Sequence, residues 1–288
     1  MKVDNAIIMA AGTSSRFAPL SYEKPKGLIT VRGEVLVERQ IKQLKETGID
    51  EIILVVGYKN EMYKYLVDKY NVKLIYNPEY NNRNNNSSIY LAKDYIKNTY
   101  ICSVDNYFLV NPFKENEDFS YYSAMYSKSY TDEWCIEYDD NNLITGVKIG
   151  GKESWYMLGH AFWTEDYSKK FLSLLEAQYD LESTKDKFWE DIYIENIDSL
   201  NMKINKYGKN DIFEFDSLEE LREFDPTYLN NSGSKILEDI ANKLNCKEED
   251  IINIKPIKRD NESIGFYFTV LGENYKYLYE DMDIKKED

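Results

Sequence analysis

Residues 6–29 run AIIMAAGTSSRFAPLSYEKPKGLI: a short apolar run, a loop of small residues, a lone arginine and a Lys-Pro-Lys. The apolar run is shorter than a signal-peptide core of about 7–15 residues and is followed by charged sequence, so NAIIMA reads as a buried first strand. The loop that leaves it can let its backbone approach a ligand closely, because Ala10, Ala11, Gly12 and Ser14 carry little or no side chain. Backbone N–H groups in such a loop suit phosphate oxygens, and Arg16 adds a delocalised positive charge. Lys26, brought back by Pro25, supplies a second. A plain turn whose small residues avoid clashes accounts for Ala-Ala-Gly alone, but not for an arginine and a Lys-Pro-Lys at these offsets. The stretch contains neither GxGxxG nor GxxxxGK[ST], which removes the dinucleotide fingerprint and the Walker loop.

Outward from that opening, strands and helices alternate. VLVERQIKQLKETG puts Val37, Ile41 and Leu44 on one helical face and ends at Gly48, a C-cap. EIILVVGY is a second apolar strand, NEMYKYLVDKY a helix capped by Asn60, VKLIYN a strand, SSIYLAKDYI a helix, and TYICSVDN a strand stopping at Asp105. Strands this apolar between helices predict an α/β, Rossmann-like fold with a mostly parallel sheet covered on both faces. Past Asp105 come FSYYSAMYSK, WCIEYD, LITGVKIG and WYMLGHAFW, aromatic segments broken by Asn-Asn and Gly-Gly turns, which would add antiparallel or mixed strands to the far edge. Helices near 165–178 and 186–198, strands MKINKY and IFEF, and the helix SLEELREF complete a domain over 1–225. Pro226 and NNSGS at 230–234 mark a linker, and SKILEDIANKLN with a hairpin turned at Gly272 and Glu273 makes 226–288 a small α+β module.

Composition narrows the function. Among 288 residues, 51 acidic against 36 basic side chains give a net charge of -15, which argues against a nucleic-acid partner and against a membrane surface, since both are held by clustered Lys and Arg. No apolar run approaches the roughly 20 residues that span a bilayer. Cys102, Cys135 and Cys246 are scattered and His160 is the single histidine, so neither a zinc site nor a disulfide framework is implied and a reducing cytoplasm fits.

The opening resembles the signature AAG-x-x-S-R…P-K of nucleotidyltransferases, which join a nucleoside triphosphate to a phosphorylated small molecule. NPEYNNRNNNSSIYLA, VDNYF, TDEWCIEYDD, DKFWEDIYIENI and DIFEFDSLEEL follow in the order and spacing of the bacterial CTP:phosphocholine cytidylyltransferase family, a resemblance covering residues 3–225. It implies the nucleotide-diphospho-sugar transferase type of fold, CTP and phosphocholine as small-molecule substrates, and Mg²⁺. Residues 234–280 look like the opening of a choline kinase N-lobe, which would mean fusion to a kinase domain in a longer product. The chain stops before any kinase catalytic residue.

The resemblance assigns roles. The substrate's phosphate dianion is already a nucleophile, so catalysis becomes positioning and charge neutralisation rather than base catalysis. Arg16 and Lys26 match the family's catalytic cations, with Lys24 assisting. Asp105 and Asp216 match its metal ligands, although Asp105 also suits a strand-ending turn and Asp216 a helix N-cap. Ser103 stands where the family often carries an acid. Ala10, Ala11, Gly12, Thr13, Gly57, Tyr58, Asn84, Asn85 and Ser88 fall where relatives hold the nucleotide; the Asn-rich stretch is otherwise a polar loop. Tyr107, Trp134, Trp189, Glu190 and Glu214 fall where a quaternary ammonium would be held by aromatic faces and acids. Both tryptophans would serve equally as core anchors. A nucleotidyltransferase acting on a sugar-1-phosphate or another aminoalkyl phosphate or phosphonate, and a non-catalytic nucleotide-binding protein, are the alternatives.

Overall fold

In a computed structural model, described over residues 1–259 and 262–287, the apolar run becomes β1 (Asn5–Ala10), every residue of which is buried except the half-buried Met9; Asp260, Asn261 and Asp288 lie outside the described residues. After the signature loop come α1 (Leu20–Glu23), the two-residue strands β2 (Thr30–Val31) and β3 (Glu34–Val35), and α2 (Leu36–Glu46). The α2 helix buries Leu36, Val37, Ile41 and Leu44, and the chain leaves it through Gly48 at φ 82, the left-handed position that favours glycine. Then follow β4 (Ile52–Val56), α3 (Tyr65–Tyr70), β5 (Lys73–Tyr76), α4 (Asn86–Leu91), β6 (Thr99–Ser103) and β7 (Asn106–Phe108). Asn60 is not the cap expected of it. It opens a short 3-10 turn, and α3 starts five residues later at Tyr65.

The aromatic region forms two long strands, β8 (Tyr121–Tyr138) and β9 (Ile144–Trp163), where four short ones were expected. Asn141-Asn142 is the turn between them, but the Gly-Gly pair is not a turn. Gly150 takes φ 77 inside the strand, and β8 and β9 stay paired on both sides of it through several register shifts. The remaining elements are α5 (Glu165–Gln178), α6 (Trp189–Glu195), β10 (Lys203–Lys206), β11 (Ile212–Glu214), α7 (Leu218–Phe224), α8 (Thr227–Asn230), α9 (Lys235–Leu244), β12 (Ile252–Arg259), β13 (Glu262–Val270), β14 (Glu273–Leu278) and β15 (Asp283–Lys286).

The main sheet has the order β10-β8-β9-β6-β1-β4-β5. β6, β1, β4 and β5 run parallel, and β9 joins β6 antiparallel, so the far edge is mixed. Its core gathers Ile7, Ile53, Val55, Ile101, Trp163 and Trp189. The chain forms two compact units: one of residues 1–12 and 36–214, the other of residues 13–35 and 215–288. The second unit holds the four-stranded antiparallel sheet β12-β13-β14-β15 and the β2-β3 hairpin. A division at 225 does not describe it, because residues 13–35 pack with the C-terminal residues. The expected linker is itself structured: Pro226 precedes α8, and Tyr228 on that helix is buried and donates its hydroxyl to the Thr30 carbonyl at 2.5 Å.

Candidate active site

Within the first unit, the loop after β1 is braced by the end of β4. Tyr58 N donates to the Ala11 carbonyl at 3.0 Å. Gly57 is required at this crossing, since a Cβ there would lie 2.7 Å from the Ala11 oxygen and 2.6 Å from Tyr80 Cβ. Ala10 and Ala11 are buried, whereas a Cβ on Gly12 would meet no described protein atom within 4 Å. Thr13, half-buried, opens the second unit, and Ser14 is the residue that takes the left-handed backbone, at φ 48.

In the second unit Arg16 sits on a 3-10 turn, Ser15–Phe17, and Lys26 opens another, Lys26–Leu28, directly after extended Pro25. Asp216 joins them. Its Oδ2 is 2.9 Å from Arg16 Nη1 and its Oδ1 is 3.6 Å from Lys26 Nζ. The Lys26 side chain is 5% exposed and the Arg16 side chain 72%. An ammonium buried beside the Phe17 ring, 5.6 Å from its centroid, needs a compensating carboxylate, and Asp216 supplies one. Lys24 lies half-buried in extended backbone just before Pro25. Capping does not occupy Asp216: Ser217 Oγ caps α7 by accepting from Glu220 N at 3.2 Å, and Glu220 reaches back to Asp216 N at 2.6 Å.

Asp105 belongs to the first unit, in the tight turn between β6 and β7. Gln40 of α2 fixes that turn by donating to the carbonyls of Ser103 at 2.9 Å and Asn106 at 2.8 Å. Ser103 Oγ donates to Asp105 Oδ1 at 2.5 Å, so the hydroxyl that replaces the family's acid holds the carboxylate instead of repelling it. Tyr107 is no cation wall: it is buried, and the Arg39 guanidinium already covers its ring at 4.6 Å.

The Asn-rich stretch performs internal work. Asn84 donates to the Asp186 carbonyl, Ser88 Oγ is buried and accepts from Asn77, and Asn85 receives Trp189 N at 2.7 Å while donating to Glu190 at 3.1 Å. Asn84 and Asn85 therefore position the start of α6, and Ser88 offers no exposed polar group for the nucleotide role expected of it. Trp189 is likewise corrected. It is 1% exposed, wedged edge-on against Trp163 at 4.9 Å and stacked on Tyr122 at 5.5 Å, as a core anchor. Trp134 is half-buried on β8 with its ring edge-on to Phe188 at 5.9 Å.

Glu190 is buried and accepts from the Tyr122 hydroxyl at 3.0 Å; burial pushes its carboxyl up to about 7, against the pull of its bonds to Asn85 and Tyr122. Tyr122 is raised well above the ordinary tyrosine value, first by burial and then by the charges of Glu190, Glu214 and Asp105. Tyr156 on β9 is raised by burial and then by Glu133 and Glu214. Four carboxylates thus act on two tyrosines in one unit. Tyr122, Tyr156 and Gln40 were not expected from sequence: the tyrosines are two among 26, and Gln40 acts on residues more than 60 positions away. His160 is fully buried among aromatic rings with Nδ1 3.7 Å from Cys102 Sγ, and burial lowers it to about 3, so it stays a neutral interior group.

Asp105 and Asp216 offer the oxygen donors that a hard cation such as Mg²⁺ takes. Among the described residues no group of three or more His, Cys, Asp or Glu is gathered for a metal. Each carboxylate by itself, Asp105 in the first unit and Asp216 in the second, is of the donor type that a cation bound mainly by phosphate and water would take. Among the described residues no helix is long and apolar enough to cross a membrane.

The MobA-like NTP transferase domain matches residues 6–113. Choline-phosphate cytidylyltransferase of Streptococcus pneumoniae is 33% identical over 227 residues, covering 79% of this chain and 99% of that protein. The 2-aminoethylphosphonate cytidylyltransferase of Lancefieldella rimae is 34% identical, covering 78% of this chain and 93% of that protein. The solved structure of the Streptococcus pneumoniae CTP:phosphocholine cytidylyltransferase superposes with a TM-score of 0.76 at 33% identity, over 79% of this chain and 99% of that one. An inositol-1-phosphate CTP transferase from T. maritima, 21% identical with a TM-score of 0.62 over 79% of this chain and 94% of that one, shares the fold. Taken with the signature loop and its paired cations, these likenesses place the chain in the nucleotidyltransferase family of the choline-phosphate cytidylyltransferases.

Proposed function

We propose that this nucleotidyltransferase moves a cytidylyl group from CTP to phosphocholine, giving CDP-choline and pyrophosphate. What supports the choice of a cationic alcohol is the likeness to the choline-phosphate cytidylyltransferase of Streptococcus pneumoniae, together with the Glu190 carboxylate and the half-buried Trp134 ring in the first unit. Acids around aromatic faces suit an ammonium, which offers no hydrogen-bond donor when fully methylated. A sugar hydroxyl face would call for amides instead.

A phosphate oxygen of phosphocholine attacks the α-phosphorus of CTP. As that bond forms, the bond from the α-phosphorus to the bridging oxygen breaks, and pyrophosphate leaves with the electron pair. Both reactants are anions, so the barrier is charge crowding, and fixed cations lower it. Lys26, buried and oriented by Asp216, is the group whose charge is least screened by water, and we assign it to the reacting phosphate. Arg16, more exposed, suits the outer phosphates of the triphosphate. Asp105 in the first unit and Asp216 in the second are each a carboxylate that would bind Mg²⁺, which when bound neutralises phosphate charge. Ala10, Ala11 and Gly12, braced by Gly57 and Tyr58, offer backbone to the nucleotide.

The amine remains selectable. The Lancefieldella rimae relative, named for a 2-aminoethylphosphonate, favours a second reading in which the substrate is an aminoalkyl phosphonate. Pyrophosphate release with CTP or UTP and each of phosphocholine, phosphoethanolamine, 2-aminoethylphosphonate and glucose 1-phosphate separates these. Phosphocholine should give the highest kcat/KM; preference for 2-aminoethylphosphonate selects the second reading, and preference for the sugar phosphate overturns both. The likeness of residues 234–280 to a choline kinase N-lobe draws support from α9 followed by an antiparallel sheet, and it contributes no step to this reaction.

A further inference from the structure

We infer that the C-terminal residues are a clamp that positions the catalytic lysine, and that Glu23 is its coupling residue. The inference rests on the role given to Lys26 above. Residues 13–35 and 215–288 form one compact unit, and the contacts that unite them fall on both sides of Lys24-Pro25-Lys26. On the near side, Tyr22 stacks on Tyr279 with ring centroids 3.6 Å apart and planes 8° from parallel. Glu23 Oε1 accepts from the backbone N–H groups of Lys235 at 2.8 Å and Ile236 at 3.4 Å. On the far side, Thr30 receives the Tyr228 hydroxyl and Arg32 N donates to Asp225 at 2.7 Å.

Glu23 thus caps α9 from 212 residues away in sequence. The helix already has a cap of its own, since Ser234 Oγ accepts from Leu237 N at 3.1 Å. The carboxylate satisfies the two N–H groups that this local cap leaves, and its charge faces the positive end of the helix dipole. Its other oxygen, Oε2, has no hydrogen-bond partner among the described residues. What the arrangement does achieve is to fix residue 23 against a ten-residue helix, three positions before Lys26, with Pro25 limiting the chain between them.

Misplacing a catalytic group by about 1 Å can cost on the order of a hundredfold in rate. In the full-length chain, Glu23→Ala should lower kcat by about ten- to a hundredfold, while the KM for phosphocholine, whose contacts are assigned to the other unit, stays within about twofold. Glu23→Gln keeps the accepting oxygen and should recover most of the rate. Tyr279→Ala should lower kcat in the same way, and it serves if the Glu23 variants do not fold. A clamp that merely stabilises would lower Tm and leave kcat, measured well below Tm, at the wild-type value; that outcome overturns the inference. The control is Lys26→Ala. If it is inactive and Glu23→Ala and Tyr279→Ala turn over normally, the clamp alone is refuted; if it is fully active, the role of Lys26 is refuted and the clamp with it.

Discussion

At the scale of single residues, the proposed chemistry turns on two side chains that are each buried with a partner. Lys26 is held beside Phe17 by Asp216, and its removal deletes a cation that solvent cannot replace. Lys26→Ala should reduce kcat by at least about a thousandfold, with the far-UV circular dichroism unchanged; a loss below about tenfold would reassign the lysine. Glu190 has the opposite sign of perturbation, its carboxyl being raised to about 7 by burial. Its protonated form is favoured in the folded state, so the stability it lends is present below the ordinary glutamate value and is lost as pH rises through about 7. An ammonium ligand needs the carboxylate, so the KM for phosphocholine should fall as pH rises through the same window, and Glu190→Gln should flatten that profile. A KM profile unchanged by the substitution would remove Glu190 from the site. The cations at 16 and 26 were legible as offsets from a small-residue loop. The fate of Trp189 was not, because an aromatic ring at a family position serves a ligand or a core, and only packing on Trp163 and Tyr122 decides.

At the scale of elements, what sequence periodicity reports is burial, and it reported β1, α2, β4 and β6 faithfully for that reason. It said nothing of long-range side-chain clamps such as Gln40 on the Asp105 turn. It also misread β8 and β9, where Gly150 is a bulge rather than a turn, since the same left-handed backbone serves either. At α7, sequence left Asp216 between a metal ligand and a helix N-cap, and the structure gives the cap to Ser217. Ser217→Ala should therefore destabilise the folded protein by about 1 kcal/mol, read as a lower denaturant midpoint at unchanged m-value. A shift within error would mean that Glu220 alone suffices to close the helix.

For the molecule as a whole, residues near the start of the chain share a compact unit with residues at its other end. Amide hydrogen exchange should show residues 13–35 protected in step with the β12–β15 sheet rather than with β1 and β4. Exchange of the loop in step with β1 would contradict that grouping. No local pattern announces such a pairing, which is why reading along the sequence divided the chain at 225. Its consequence reaches into how the protein is made. The signature loop leaves the ribosome before the residues that bind it, so Tyr22 and Glu23 wait until the chain has grown past α9, 212 residues beyond Glu23, and past Tyr279. With the clamp proposed above, a nascent chain can build its parallel sheet and still be inert until the residues that hold the Lys26 loop have emerged.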